Sequence, residues 1–335
     1  MERNSSFELL RIISIFLIVT MHVTALLDYD NASHFNQFII NIINSVGNVS
    51  VTSFILISGY FGIKFKWKKY IELIVTTTVY CVLVAAFRYG DNPVELVKAF
   101  LTLPCYNLWF IACYLIIMPL APYINKLVVS LSKSEFQRLV LILVVFFSVI
   151  PTFFVSGAIN NVVLRMGGKN LTFMIAIYVI GRYVRIYNDR NYNRWVLWGG
   201  HLACVLCVYL LNMIGSYFFH KRCVIFGFDC SPISLFSALC VFYLFKSWSF
   251  KSNIVNWFSS SVFAFYILSY IFYYFDKHFV HLGSYSTDNR FILYLLILVL
   301  TSWIFTLFID KSLGKGIKWL VNKYYDYFSI VLEKK

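Results

Sequence analysis

The amino-acid sequence predicts an all-α fold: a polytopic transmembrane helical bundle of about ten spans, with the N-terminus and the C-terminus both cytoplasmic. Three observations predict it. Hydrophobic residues fill 60% of the 335 positions and charged residues only 13%, and the mean hydropathy is +0.74, a balance outside the range of ordinary soluble domains. Apolar runs long enough to cross a hydrocarbon layer of roughly 30 Å recur along the whole chain. Lys and Arg collect in alternate connections between those runs. The net charge of +14 therefore reads as topology. No basic run interleaved with exposed aromatics suggests a nucleic-acid surface.

The spans fall, in order, at about 7–27, 38–62, 70–88, 107–125, 137–155, 171–187, 195–218, 232–249, 259–279 and 291–310. The first lacks the small-residue cleavage site that follows the short apolar core of a secretory signal, so it is expected to stay as a helix. With the N-terminus inside, 20 Lys and Arg residues are cytoplasmic, 8 are outside, and Arg11 is left within the membrane. The inner group includes Lys64, Lys66, Lys68 and Lys69 after the second span, and Arg182 and Arg185 at the end of the sixth. The reverse orientation would invert this bias. The longest outer connections are 89–106 and 156–170. The second holds Gly157, Gly167, Gly168, Asn160 and Asn161 beside Arg165 and Lys169, which fits a surface loop or a lid over a cavity. The tail 311–335 carries Ile317, Trp319, Leu320, Tyr324, Tyr327 and Phe328 at helical spacing among lysines, as an interfacial amphipathic helix on the cytoplasmic leaflet would. The whole chain, 1–335, reads as one membrane domain without an internal repeat.

Charge inside the first span carries the functional signal. Arg11 and His22 are eleven residues apart, which is three helical turns plus roughly 20°, so both lie on one face about 16 Å apart along the axis. Glu8 falls near the same face, where it can pair with Arg11. Ionisable groups at this depth look into a protein interior or a water-filled cavity and mark functional sites. The competing reading is a structural Glu8–Arg11 pair with His22 satisfied by a neighbouring carbonyl. The added histidine in register favours function.

Other positions offer less. The eight cysteines make no metal framework, and no metal site is expected. Cys204 and Cys207 sit inside the seventh span, where cysteine is a small packing residue. Cys223 and Cys230 share an outer loop and could bridge. His201 in the seventh span fits a packed histidine. Ser58-Gly59 in the second span allows close approach of a ligand or of another helix. Trp109 opens the fourth span, where an aromatic belt is the simpler account.

Arg11-x10-His22, the Phe54-x3-Ser58-Gly59 string and the Lys66-x2-Lys69 pattern together resemble the membrane acyltransferase-3 family, here in its stand-alone form. Leu108-Trp109-Phe110 followed by Pro119 and Pro122, and Ser261 ahead of Phe265-Tyr266-Ile267-Leu268, extend the match over essentially the whole chain. Two positions depart from the family. Lysines replace an R-x-x-R in the first cytoplasmic loop, keeping charge but losing bidentate phosphate geometry. Ser269 stands where many members have a histidine, which leaves His22 without a histidine helper.

The resemblance implies a bacterial cytoplasmic-membrane O-acyltransferase, most often an O-acetyltransferase. It would use acyl-CoA as donor substrate, with no permanently bound cofactor, and an envelope polysaccharide or lipid-linked sugar as acceptor. On that reading His22 and Arg11 are catalytic, His22 as general base or covalent carrier and Arg11 orienting the donor arm. Lys66, Lys68, Lys69, Arg182 and Arg185 would hold the donor's phosphates. Ser58, Gly59, Trp109 and Arg165 would touch substrate. A glycan exporter or flippase is the alternative, because polar groups in a helical bundle also mark transport paths.

Overall fold

In the computed structural model, residues 4–90, 92–101, 108–154 and 167–333 are described. They form helices α1 (Ser5–Thr24), α2 (His34–Gly47), α3 (Val49–Phe61), α4 (Trp67–Tyr89), α5 (Pro93–Leu101) and α6 (Trp109–Ser130). Then follow α7 (Lys133–Phe153), α8 (Leu171–Tyr187), α9 (Arg194–Phe219), α10 (Pro232–Lys246), α11 (Asn253–Val280) and α12 (Phe291–Glu333). Among the described residues, nine stretches are long and apolar enough to cross a membrane, α2 and α3 counting as one. The tenth expected span is α8, at 17 residues about 26 Å long. It is enclosed by protein: nine of its residues, from Phe173 to Val184, are buried.

Helix starts follow from local chemistry. Asn4, Ser33, Asn170, Asn193 and Ser252 each turn a side-chain oxygen back to a first-turn N–H. Ser132 and Glu135 form a reciprocal capping box at the start of α7. Pro119 and Pro122 lie inside α6, which membrane helices tolerate when neighbours take up the freed carbonyls.

Two expectations change. The loop expected at 89–106 contains the short helix α5, with Val94, Val97 and Phe100 exposed. The separate tail helix is instead the continuation of the last span, one unbroken helix of 43 residues about 65 Å long. Its far part is anchored where Ile317 and Val321 bury themselves against the first turns of α4.

Helix α1 lies between two packed groups, and this places the site. Its first turns, with Phe7 and Leu10, join a core built with α3, α6, α8 and α10. Its later turns, from Ile15 to Val23, join a core built with α2, α11 and the start of α12. The tightest helix pair is α3 with α8. A Cβ on Gly59 would lie 2.3 Å from the Tyr178 carbonyl oxygen, and one on Gly181 2.7 Å from that of Leu56. Gly59 therefore serves helix packing, and it is not among the residues lining the cavity beside α1.

Candidate active site

Arg11 and His22 line one cavity of about 730 Å³ that follows α1 from Glu8 to Leu27. The helical register that puts them on one face also turns that face inward, against α2, α3, α6 and α11. At the Arg11 end the polar groups are satisfied. Arg11 Nη1 meets Glu8 Oε1 at 2.8 Å, and Ser259 donates its hydroxyl to the other Glu8 oxygen. Glu8 is buried while the Arg11 side chain stays 31% exposed, so its remaining donors are available to a ligand. Beyond this floor, Lys311 reaches the Ser260 hydroxyl at 2.7 Å, and Asp310 accepts from Tyr80 at 2.7 Å and Ser261 at 2.6 Å.

The middle of the cavity is apolar and aromatic, with Ile15, Ile18, Phe54, Trp109, Phe110 and Tyr266 in its wall. Trp109 thus faces the cavity rather than acting only as a belt residue. Ser58 also lines it, with its hydroxyl turned back to the Phe54 carbonyl at 3.0 Å.

The His22 end differs. The imidazole packs beside Tyr270, ring centres 5.4 Å apart, and its Nδ1 is buried with no partner among the described residues. A buried ring nitrogen left unsatisfied is costly unless a ligand or water completes it. Ser269 is buried and donates to the Tyr266 carbonyl at 3.5 Å, so Tyr270 rather than residue 269 is the neighbour of His22 on α11. Lys169, Arg222, Asp229 and Asn44 close this end. None of the four is named as a site residue from the sequence: Lys169 is placed with Arg165 in a possible lid, and Arg222 counts only as an outer charge. The available signal was Asp229, an acid set between Phe228 and Cys230. A second cavity of about 570 Å³ shares Met21, Tyr29, Asn44, Lys169, Arg222 and Asp229 with the first.

The other basic candidates separate. Lys66, Lys68 and Lys69 are exposed around the start of α4 and stand outside the cavity wall, with Lys68 over the Tyr325 ring. Arg182 presses on the turn after α3: its Nη1 lies 2.8 Å from where a Cβ of Gly62 would sit. Gly62 has φ +71°, so glycine suits both the turn and the close approach. The Nε of Arg182 has no partner. Arg185 is occupied, at 2.8 Å from Asp189 and 2.9 Å from the Tyr60 hydroxyl, and Lys246 joins the same carboxylate at 2.7 Å. Burial alone would raise the Asp189 carboxyl, but hydrogen bonds from Lys246 and Tyr60 outweigh it and hold the group below its usual range. Arg185 is therefore a clamp on the connection after α8.

Arg165 lies outside the described residues. Cys223 and Cys230 do not bridge: both thiols are free, Cys223 packing against Gly215 and Cys230 against Gly168. His201 is a packed histidine, its Nδ1 2.8 Å from the Ser237 hydroxyl. Among the described residues no group of three His, Cys, Asp or Glu is placed to hold a metal ion.

The family model described as an acyltransferase domain matches residues 4–319, nearly the whole chain. The chain belongs to the acyltransferase-3 family. It is a membrane acyltransferase, with multiple helices fit to cross a bilayer. No curated protein and no solved structure matched this acyltransferase.

Proposed function

We propose that this acyltransferase is an O-acetyltransferase of the bacterial cytoplasmic membrane. It moves an acetyl group from cytoplasmic acetyl-CoA to a hydroxyl of an envelope polysaccharide or of its lipid-linked precursor. One observation carries the reading: a single cavity has a carboxylate-paired guanidinium at one end and an imidazole with an unsatisfied nitrogen at the other. The distribution of Lys and Arg, 20 against 8, supports a cytoplasmic Arg11 end and cytoplasmic termini.

The donor's phosphates then meet Lys66, Lys68, Lys69 and Arg182, none of which has a carboxylate partner among the described residues. The thioester arm passes Arg11, which orients it, and extends along the apolar middle of the cavity toward His22. The imidazole takes the proton of the acceptor hydroxyl as its oxygen attacks the thioester carbonyl carbon. The carbon–sulfur bond breaks, and the coenzyme thiolate leaves and takes up the proton. General-base catalysis of this kind is worth about 10²–10⁴-fold. An acyl-imidazole on His22, resolved by the same hydroxyl, is the covalent variant.

The test is transfer of label from acetyl-CoA to envelope glycan by purified protein in lipid vesicles. Label is expected in the glycan with the wild type and not with His22→Ala. Passage of unmodified glycan across the vesicle with no label transfer would make the cavity an export path instead.

A further inference from the structure

The second cavity is lined unlike the first. Its wall carries the carboxamides of Gln37, Asn41, Asn44, Asn48 and Asn212. Asn41 donates to the Tyr29 hydroxyl at 2.8 Å and Gln37 to the Tyr29 carbonyl at 3.0 Å, while Asn212 accepts from the Phe226 N–H at 3.2 Å. Among the described residues, the other polar atom of each has no hydrogen bond. An array of side chains that both donate and accept matches a ligand rich in hydroxyl groups.

Asp229 lies where the two cavities meet. It is only 6% exposed, and its Oδ2 has no hydrogen-bond partner among the described residues. A buried carboxylate oxygen without a donor is strongly disfavoured, and hydroxyl groups of a ligand would supply the donors. Lys169 is within electrostatic reach of both Asp229 and His22. Arg222 lies with its guanidinium 3.6 Å from the centre of the Tyr29 ring. Both cations are exposed, and among the described residues neither is paired with a carboxylate. Two exposed cations with no carboxylate partner among the described residues, beside one buried carboxylate, suit a ligand with hydroxyls inside and a negative group outside.

We propose that the second cavity is the acceptor subsite and that it selects a sugar bearing an acidic group. Asp229 accepts from ring hydroxyls beside the one that is acylated, and Lys169 with Arg222 holds the carboxylate or phosphate. This rests on the acyl-transfer reading and adds the class of acceptor. The acidic group has two sources, a uronate-type carboxylate within the glycan or the phosphate that links a first sugar to lipid.

The test maps acetyl esters by mass spectrometry on envelope glycans of the native host carrying either the wild-type chain or His22→Ala. The expected result is a His22-dependent ester on a sugar that bears an acidic group or is one linkage from it. An ester in the interior of the repeat identifies the carboxylate, and one on the first sugar identifies the lipid phosphate. A His22-dependent ester on a neutral glycan, with no acid within one linkage, overturns the proposal while leaving acyl transfer standing. Absence of any such ester would bring down acyl transfer and the subsite with it.

The mapped fragment, stripped of its ester by mild base, then serves as acceptor in vesicles. Lys169→Ala with Arg222→Ala should raise the KM for this fragment about tenfold, leave kcat within about threefold and weaken the salt dependence. Asp229→Asn, nearly isosteric, should raise the same KM with acetyl-CoA affinity unchanged. An unchanged fragment KM in both variants overturns the subsite.

Discussion

Glu8 and Asp229 are both buried carboxylates in the wall of one cavity, 8% and 6% exposed, yet the protein treats them in opposite ways. Glu8 is enclosed by Arg11 and Ser259, and the neighbouring Asp310 by Tyr80 and Ser261. Among the described residues, Asp229 keeps an oxygen with no donor, and His22 a ring nitrogen with no partner. Buried polar groups in folded proteins are nearly always satisfied. The Arg11 end therefore holds its shape by itself, whereas the His22 end is completed only by what binds there. On the proposed reading, stability is concentrated at one end of the cavity and chemistry at the other.

The largest test of that contrast is His22→Ala. Turnover should fall about 10²–10⁴-fold, with donor affinity and the yield of folded protein unchanged, because the lost interaction is made in the transition state. Label transfer per unit of folded protein measures it, and near-normal turnover would make His22 a packing residue. Arg11→Ala should behave differently, losing folded protein as well as activity. It strips Glu8 of its cation, at a cost between the surface and buried limits, about 1–3 kcal/mol. Thermal unfolding in detergent reads this, and Arg11→Lys should rescue little, since a point charge does not replace the planar fork.

Next in size, Tyr80→Phe should lower stability by about 1.5–3 kcal/mol, the range for a hydrogen bond to a charged group. Turnover of the folded fraction should be preserved; a loss of turnover without a loss of stability would move chemistry to the Arg11 end and erase the contrast. The smallest effect is expected from Lys66→Ala with Lys69→Ala. The apparent KM for acetyl-CoA should rise several-fold with kcat less affected, as for uniform binding of remote phosphates. An unchanged KM would leave the cluster as a signal of topology alone.

Much of this was legible from residue patterns. The α1 register follows from 100° per residue, so the shared face of Arg11 and His22 and the Glu8 pair appear in the structure as the spacing requires. The α8 segment was found by its apolar run at the bounds the structure shows, Leu171–Tyr187, but that run does not record that protein encloses it. Gly59 and Arg185 mark the limit more sharply. A small residue on a helix allows either a ligand or a second helix to approach, and Gly181 on α8 is what occupies the space. A basic residue after a span suits a phosphate or a carboxylate, and Asp189 took Arg185. In both cases the residue type names a capacity, and only its neighbour decides the use.

By itself the sequence determined what lies within single helices: the apolar runs, the inward stripe of α1 and the family the chain belongs to. These depend on residues a few positions apart, so local geometry fixes them. Tertiary structure alone decided which distant groups meet His22. Asn44, Lys169, Arg222 and Asp229 come from different parts of the chain and converge because α1 is packed between two groups of helices. Their convergence depends on how whole helices pack, a property that no spacing along the chain encodes.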